Sequence, residues 1–168
     1  IGDIYNDFDI QNCAPTILKY ILKKHFDYDN KYLNAYVSYR DKFLDKHGLD
    51  KKQILICMNS DKKTTSSKTA LIILDRQFKI IQNMLWDKKD FYDVYKDARK
   101  KNKKGSFLNT ICCIYENKIL NDVKEKLNID YNVPMFDGFL IKKENTENII
   151  EKLNEYSKEY GIKWINKE

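Results

Sequence analysis

Apolar and polar residues alternate at the start of the chain in a way that predicts a strand followed by a helix. Residues 3–10 have the pattern of a strand and place Ile4, Phe8 and Ile10 on its buried face. A sharp turn then leads into a helix, and Pro15 suits the first turn of that helix. The apolar positions of the helix recur every three or four residues and form one stripe, which consists of Ile17, Leu18, Ile21, Leu22 and Phe26.

The middle of the chain has a helical period almost throughout. Gly48 ends one predicted helix, and Asp50 can cap the next. The predicted segments are helices over 31–46, 51–58 and 68–100, with a polar loop over 60–67 and a break near 86–90.

The last third of the chain returns to strands. A basic connector over 100–105 precedes Ser106, which is predicted to cap a helix over 107–127. Residues 131–142 read as a tight hairpin, because Asp-Gly between two apolar runs is a strong hairpin signal. The pattern then predicts a helix over 147–160, which ends at Gly161, and a last strand over 162–166.

The order of these elements predicts the fold class. A parallel α/β fold would alternate strands and helices more regularly than this chain does. A small antiparallel sheet with helices packed on one face, together with a helical insertion, fits the order better. We therefore predict an α+β fold.

Composition narrows the function classes without choosing among them. The chain has 168 residues, 31 basic and 25 acidic residues and a net charge of +6, and nearly all of its cations are lysines. This charge is compatible with a polyanionic partner, but the abundance of Lys, Asn, Ile and Tyr is also typical of an AT-rich genome. No apolar run approaches the roughly 20 residues that span a bilayer, and no export signal is visible, so we expect an intracellular protein without a membrane partner. The four cysteines lack metal-ligand spacing, and the start without Met suggests a domain of a longer protein.

Two aspartates are the first candidates for chemistry. Asp9 and Asp137 each end or turn an apolar strand, and each follows a phenylalanine. A carboxylate in such a setting is costly unless it meets water, a donor or a cation. Two carboxylates on neighbouring strands can hold Mg²⁺ ions for phosphoryl chemistry. The alternative is that Asp137 is only a turn residue and Asp9 only a helix cap.

The segment YNDFDIQNCAPTIL, residues 5–18, resembles the first catalytic motif of the transposon-and-virus polymerases, which are relatives of family A DNA polymerases and single-subunit phage RNA polymerases. The family motif reads approximately Asp-x-Asp-x-x-Asn-x-His-Pro and precedes an apolar helix. This chain departs from it at Ala14, which stands at the histidine position. The matching residues are Asp7, Asp9, Asn12 and Pro15.

Later segments follow the same family in order. Residues 51–61 resemble the second motif, although Ser60–Asp61 replaces the usual Gly-Gly pair. Residues 105–120, which include Glu116, resemble the helix before the third motif, and residues 133–141 resemble the third motif itself.

The resemblance implies a set of site residues by matching position. Asp9 and Asp137 would be catalytic and would bind Mg²⁺ or Mn²⁺, together with a backbone carbonyl of Asp9 or Ile10. Asn12, Lys51 and Lys52 would bind the incoming nucleotide. A template or primer backbone would follow the basic run, whose lysines are Lys100, Lys101, Lys103 and Lys104.

The resemblance also implies an architecture and a context. Residues 1–168 would form one polymerase palm, with a fingers-like helical insertion over 27–105 and a helix-hairpin-helix-strand part over 106–168. The implied function is template-directed nucleotidyl transfer by a DNA polymerase or primase, with a nucleic acid template or primer and nucleoside triphosphates as partners. The family further implies a helicase module in the full-length protein, a virus or mobile element as its source, and a location in the host cytoplasm or at a viral replication site.

Two alternatives stay open at this stage. Archaeo-eukaryotic primases also carry an Asp-x-Asp strand, but their Ser-x-His motif has no counterpart around His25 or His47. A non-catalytic nucleic-acid- or partner-binding domain of a replication protein would keep the fold without the chemistry. Ala14 and Ser60–Asp61 are the departures that favour this second alternative. The basic run over 100–104 is equally compatible with a solvated linker.

Overall fold

The computed structural model describes residues 4–128, 133–135 and 137–167. The chain divides into two compact units, one made of Ile1–Lys24 and Ile114–Glu168 and the other of His25–Cys113. In chain order the strands and α-helices are β1 (Tyr5–Ile10), α1 (Cys13–Phe26), α2 (Lys31–Ser38), α3 (Arg40–His47), α4 (Lys51–Asn59), α5 (Thr69–Trp86), α6 (Lys103–Leu127), β2 (Val133–Met135), β3 (Gly138–Lys142), α7 (Ile149–Tyr156) and β4 (Trp164–Lys167). Short 3-10 helices cover Lys89–Asp97, Lys143–Asn145 and Lys158–Tyr160.

The first unit is built on an antiparallel sheet with the strand order β2-β3-β1-β4. β1 lies in the interior of the sheet and pairs with β3 on one side and β4 on the other. β2 and β3 form the hairpin that the Asp-Gly pair predicts, and the strand order is that of a split β-α-β arrangement. The predicted α+β class is confirmed. Of the predicted hairpin, residues 131, 132 and 136 lie outside the described residues.

The two faces of this sheet differ in character. Side chains on one face are buried and form part of the core, namely Phe8, Ile10, Phe139, Ile141 and Trp164. Phe139 and Trp164 stack across β1 with their ring centroids 5.6 Å apart. The register places Asp7, Asp9, Leu140, Ile165 and Lys167 on the opposite face.

The prediction that Ile4 belongs to the buried face is wrong. Its side chain is 59% exposed, because Ile4 precedes the strand at the edge of the core. Its carbonyl accepts a hydrogen bond from the amide of Lys143, at the point where β3 gives way to an exposed 3-10 turn.

The helices of the first unit bury the apolar stripes that the sequence predicts. In α1 the buried members include Ile17, Leu18, Ile21 and Leu22, while Phe26 is half-exposed. Polar contacts fix the end of the chain: the amide of Trp164 donates to Asn154 Oδ1, and its indole N–H donates to Ser157 Oγ. These contacts hold β4 in place beside β1.

The second unit is a helical assembly with its own core. α4 packs against α5, and the buried residues include Leu33, Tyr36, Ile54, Met58, Leu74, Phe78, Ile81 and Phe107. Local sequence signals set several helix ends, as predicted: Asp50 and Gln53 form a capping box at α4, and Gly48 ends α3 with φ of 60°.

Three predicted boundaries in the helices are wrong. The helix predicted over 31–46 is broken at Tyr39, whose φ of −137° is not helical; Val37 and Ser38, which have low helix propensity, precede the break. α6 begins at Lys103, so Ser106 lies inside the helix instead of capping it. The helix predicted over 147–160 begins at Ile149 and gives way to a 3-10 turn after Tyr156.

Within the described part of the chain, the helices are too short or too polar to cross a bilayer.

Candidate functional site

Asp9 is a buried carboxylate in the strand at the interior of the sheet. Its Cα faces Gly138 on β3 and Ile165 on β4, and only 5% of its surface is exposed. The carboxylate forms an ion pair with the ammonium of Lys167, whose side chain is about half-exposed on the same face. A buried carboxylate needs such compensation, so Lys167 supplies the positive charge next to Asp9.

Asp137 lies beside Asp9 at the same end of the sheet. The amide of Ile10 donates to the carbonyl of Asp137 with an N···O distance of 2.9 Å. Asp137 is therefore next to Ile10, the residue that follows Asp9. It is half-buried and lies in the turn directly before β3. Its backbone is thus next to the strand that carries Asp9, and the meeting of the two carboxylates stays a prediction.

Gly138 is required by a close approach of two strands. A Cβ at this position would lie 2.0 Å from the carbonyl oxygen of Phe8 and 2.6 Å from Asp9 Oδ1. No side chain fits there without a shift of the backbone. The sequence pattern marks Gly138 as a turn residue, and it does not reveal that this glycine also leaves room for the Asp9 carboxylate.

Glu116 on α6 adds a third carboxyl to this region. The Cys13 thiol donates to Glu116 Oε2 at 3.3 Å. Burial raises the pKa of the Glu116 carboxyl; the hydrogen bond from Cys13 opposes that rise, and the negative charge of Asp137 adds to it. The sequence identifies Glu116 only as part of a segment that resembles a family motif. Its contact with Cys13, 103 residues away, cannot be inferred from the sequence.

Asn12 is buried in the turn between β1 and α1. Its backbone is left-handed, with φ of 55°, and its carbonyl accepts from both the amide and the hydroxyl of Thr16. Both polar atoms of its side-chain amide are buried without a hydrogen-bond partner among the described residues. Because an unpaired buried amide costs about 1–3 kcal/mol, this side chain is suited to bind a polar group that is not part of the chain.

The lysines predicted to bind nucleotide belong to the second unit. Lys51 and Lys52 are exposed in the first turn of α4, where they border a groove formed with Leu55, Ile56 and Asn59. Asp61, one of the two residues that replace the family's Gly-Gly pair, accepts a hydrogen bond from the amide of Gly105 at 2.6 Å. Its charge therefore stabilises the beginning of α6.

The basic run divides into two parts in the structure. Lys100 and Lys101 are exposed in a turn that is closed by a bridge between Arg99 and Asn102. Lys103 and Lys104 begin α6 and line a cavity. The run is therefore partly helical, contrary to the prediction of a connector.

The donor set suits the metal ions that the resemblance implies. Among the described residues, no group of three or more His, Cys, Asp or Glu side chains is placed to share a metal ion. Mg²⁺, however, is commonly bound by one or two carboxylates together with substrate phosphates, and Asp9 and Asp137 provide oxygens of this type. A cation, the Lys167 ammonium, already contacts Asp9. The residues present are therefore compatible with Mg²⁺ or Mn²⁺.

No family model, curated protein or solved structure matches the chain.

Proposed function

We propose that this chain catalyses template-directed nucleotidyl transfer, as a DNA polymerase or primase, and that Asp9 and Asp137 form its reaction centre. The observation that carries the proposal is the hydrogen bond from the amide of Ile10 to the carbonyl of Asp137, which holds the turn that carries Asp137 against the end of the strand that carries Asp9. The strand order β2-β3-β1-β4 and the helical unit between α1 and the later part of α6 agree with the palm and fingers that the resemblance implies.

Each residue of the centre has a distinct role in this proposal. Asp9 and Asp137 would hold Mg²⁺ or Mn²⁺, which supplies activation of a hydroxyl and charge stabilisation at a leaving pyrophosphate. The Asn12 amide would donate to, or accept from, the nucleotide. The Ile10 carbonyl stays a proposed backbone ligand.

The burial of Glu116 would limit the negative charge at the centre. Because burial raises the pKa of Glu116, this carboxyl would add less negative charge beside Asp9 and Asp137 than an exposed carboxyl would. This arrangement lowers the repulsion of a triphosphate.

A primer-extension assay with Mg²⁺ or Mn²⁺ tests the proposal. We expect extension by the 168-residue chain and a loss of at least about a hundredfold in Asp9→Asn and in Asp137→Asn, since each removes a charge from the reacting centre. Asp93→Asn, at an exposed position, is the control for the same chemical change. Unchanged extension in either of the first two variants would exclude its proposed role.

The Lys167–Asp9 ion pair favours a second candidate, a non-catalytic nucleic-acid-binding domain of a replication protein. In that case Lys167 is the permanent partner of Asp9, and the fold binds nucleic acid without chemistry. This candidate predicts nucleic acid binding by the chain with no extension under either metal ion.

A further inference from the structure

The second unit contains a cavity that is separate from the residues proposed for catalysis. Its volume is about 500 Å³, and it lies between α5, the beginning of α6 and the loop that follows α4. Volumes of about 300–1,000 Å³ are typical of sites for small molecules and single groups of larger ligands. Its lining includes Lys63, Lys79, Gln82, Trp86, Lys103 and Lys104.

Three of the four lysines carry positive charge that no nearby carboxylate compensates. Lys79 donates to Asp75 Oδ1 at 2.8 Å and to the carbonyl of Cys57 at 3.0 Å, so its charge is balanced. In the part of the chain that the structure describes, no carboxylate lies within ion-pair distance of Lys63, Lys103 or Lys104. The cavity therefore favours an anion.

The acidic residue in the lining does not cancel this charge. Asp61 accepts the Gly105 amide at 2.6 Å, and its own amide donates to Asn102 Oδ1 at 2.8 Å. The positive end of the helix dipole at the start of α6 thus balances the Asp61 carboxylate. The Lys104 ammonium donates to the uncharged Asn83 Oδ1 at 2.6 Å, so all three lysines keep their positive charge at the cavity.

Trp86 gives the cavity a rigid aromatic wall. One side of its indole stacks on Tyr95, with centroids 4.5 Å apart and an angle of 26°, and Phe107 contacts it edge-on at 5.0 Å. The hydroxyl of Tyr95 donates to the carbonyl of Trp86. Because Trp86 also lines the cavity and is only half-buried, a planar ring in the cavity can stack on it.

Gln82 lines the cavity and is held in place by two hydrogen bonds. The side chain is 2% exposed, and its amide N–H groups donate to the carbonyls of Met58 and Ser60, both at 3.0 Å. These two bonds join α5 to the end of α4. The cavity is therefore lined by a hydrogen-bonded glutamine and by the lysine ammoniums.

We propose that this cavity binds one nucleotide unit of a single-stranded nucleic acid, with the phosphate at Lys63, Lys103 and Lys104 and the base against Trp86. Lysines for the backbone and an aromatic ring for the base are the two components of sequence-tolerant single-strand binding. Lys100 and Lys101, exposed in the preceding turn, extend the positive charge beyond the cavity toward a neighbouring phosphate, as a polymer requires. This proposal rests on the proposed function and names its partner as a single-stranded nucleic acid. The binding itself needs no metal ion and no chemical step.

Tryptophan fluorescence tests the proposal, because Trp86 and Trp164 are the two tryptophans of the chain. In a Trp164→Phe background, titration with a short oligothymidylate in EDTA is expected to quench Trp86. Lys63→Gln/Lys103→Gln is expected to weaken binding at least about tenfold and to reduce the slope of log K against log salt by about 1.4, which corresponds to two lost phosphate contacts. The control is Lys42→Gln/Lys46→Gln, which removes the same charge from exposed positions on α3.

A second pair of variants tests the aromatic wall with a labelled oligonucleotide. Trp86→Leu is expected to weaken binding roughly tenfold, and Trp86→Phe, which keeps a ring, is expected to restore most of it. Circular dichroism establishes that each variant folds. If the double lysine variant does not fold, Lys63→Gln alone, in the loop after α4, tests the phosphate contact.

Three results would overturn the proposal. These are an absence of quenching, equal loss of affinity in the two double-lysine variants, and binding of free thymidine triphosphate as tight as that of the oligonucleotide, which would make a free nucleotide the ligand. Binding without primer extension refutes the proposed function and leaves this inference standing, and extension without Trp86 quenching does the reverse.

Discussion

The Cα of Gly138 faces Asp9 across the pairing of β3 with β1, and the space between them is too small for a single methyl group. Asp9 is buried and charged, and Phe8 presents its carbonyl oxygen to the same point. The close contact between the strands is therefore part of how the fold holds the carboxylate.

Gly138→Ala tests this relationship. The added Cβ would meet the backbone of Phe8, which cannot move as a side chain can, so we expect the free energy of unfolding to fall by about 2 kcal/mol or more. Gly161→Ala is the control, because no atom lies within 4 Å of its added Cβ and its cost of about 1 kcal/mol would come from the φ of +65° alone. Denaturant unfolding measures both variants. Equal losses would show that β1 and β3 are not so closely apposed.

Lys167→Met tests the charge balance of Asp9. Removal of the ammonium leaves a buried carboxylate unpaired, and we expect a loss of about 1–2 kcal/mol in stability at neutral pH, moderated by the exposure of Lys167. If Asp9 binds metal ions, millimolar Mn²⁺ should recover the melting temperature of this variant more than that of the wild type. Lys163→Met removes an exposed cation of the same strand region as a control. A variant that loses no stability, or gains none from Mn²⁺, would contradict this prediction.

Glu116→Gln tests the carboxyl that pairs with Cys13. Burial raises the pKa of Glu116 above its ordinary value of 4.5, so its contribution to stability is fully present below pH 4.5 and is lost as the pH rises through the folded-state pKa. Glutamine keeps an acceptor for the thiol and stays neutral, so the variant should gain stability relative to the wild type as the pH rises from about 4 to 7. Thermal unfolding across this range, with exposed Glu125→Gln on the same helix as control, measures the difference. A difference that does not change with pH would refute the burial of Glu116.

Replacement of tyrosine by phenylalanine should have opposite effects on the free energy of unfolding at Tyr36 and at Tyr160. Tyr36 is fully buried and its hydroxyl has no hydrogen-bond partner among the described residues; burial raises its pKa to about 12. Tyr36→Phe removes that unpaired group and should leave stability unchanged or raise it by up to about 1 kcal/mol. Tyr160→Phe removes a hydrogen bond to Asp122 and should lower stability by about 1–2 kcal/mol. Denaturant unfolding that shows a larger loss for Tyr36→Phe would contradict the assigned contacts.

Local signals in the sequence predict much of the fold. The capping residues Asp50 and Gly48, the stripe of α1 and the Asp-Gly hairpin all act over a few residues, so their consequences can be inferred from the sequence alone. The start of α6 cannot be inferred in this way. Asp61 accepts a hydrogen bond from the amide of Gly105, 44 residues away in the first turn of α6, and no local signal in the sequence marks this contact.

The candidate site also contains residues that local signals in the sequence do not predict. The type of residue and its place at the end of a strand predict Asp9 and Asp137, and the family resemblance strengthens that prediction. Glu116 and Lys167 join the site through tertiary contacts with Cys13 and Asp9, for which the sequence has no local signal. The space left by Gly138 likewise depends on strand register, which a hairpin signal does not fix.

Primer extension by a double variant tests the central claim most directly. If Asp9 and Asp137 act as one reaction centre, Asp9→Asn, Asp137→Asn and Asp9→Asn/Asp137→Asn should all show the same residual rate, because the first substitution already disables the unit. The Asp93→Asn control should extend the primer at the wild-type rate. A single variant that keeps the wild-type rate, or losses in the two single variants that multiply in the double variant, would contradict the account.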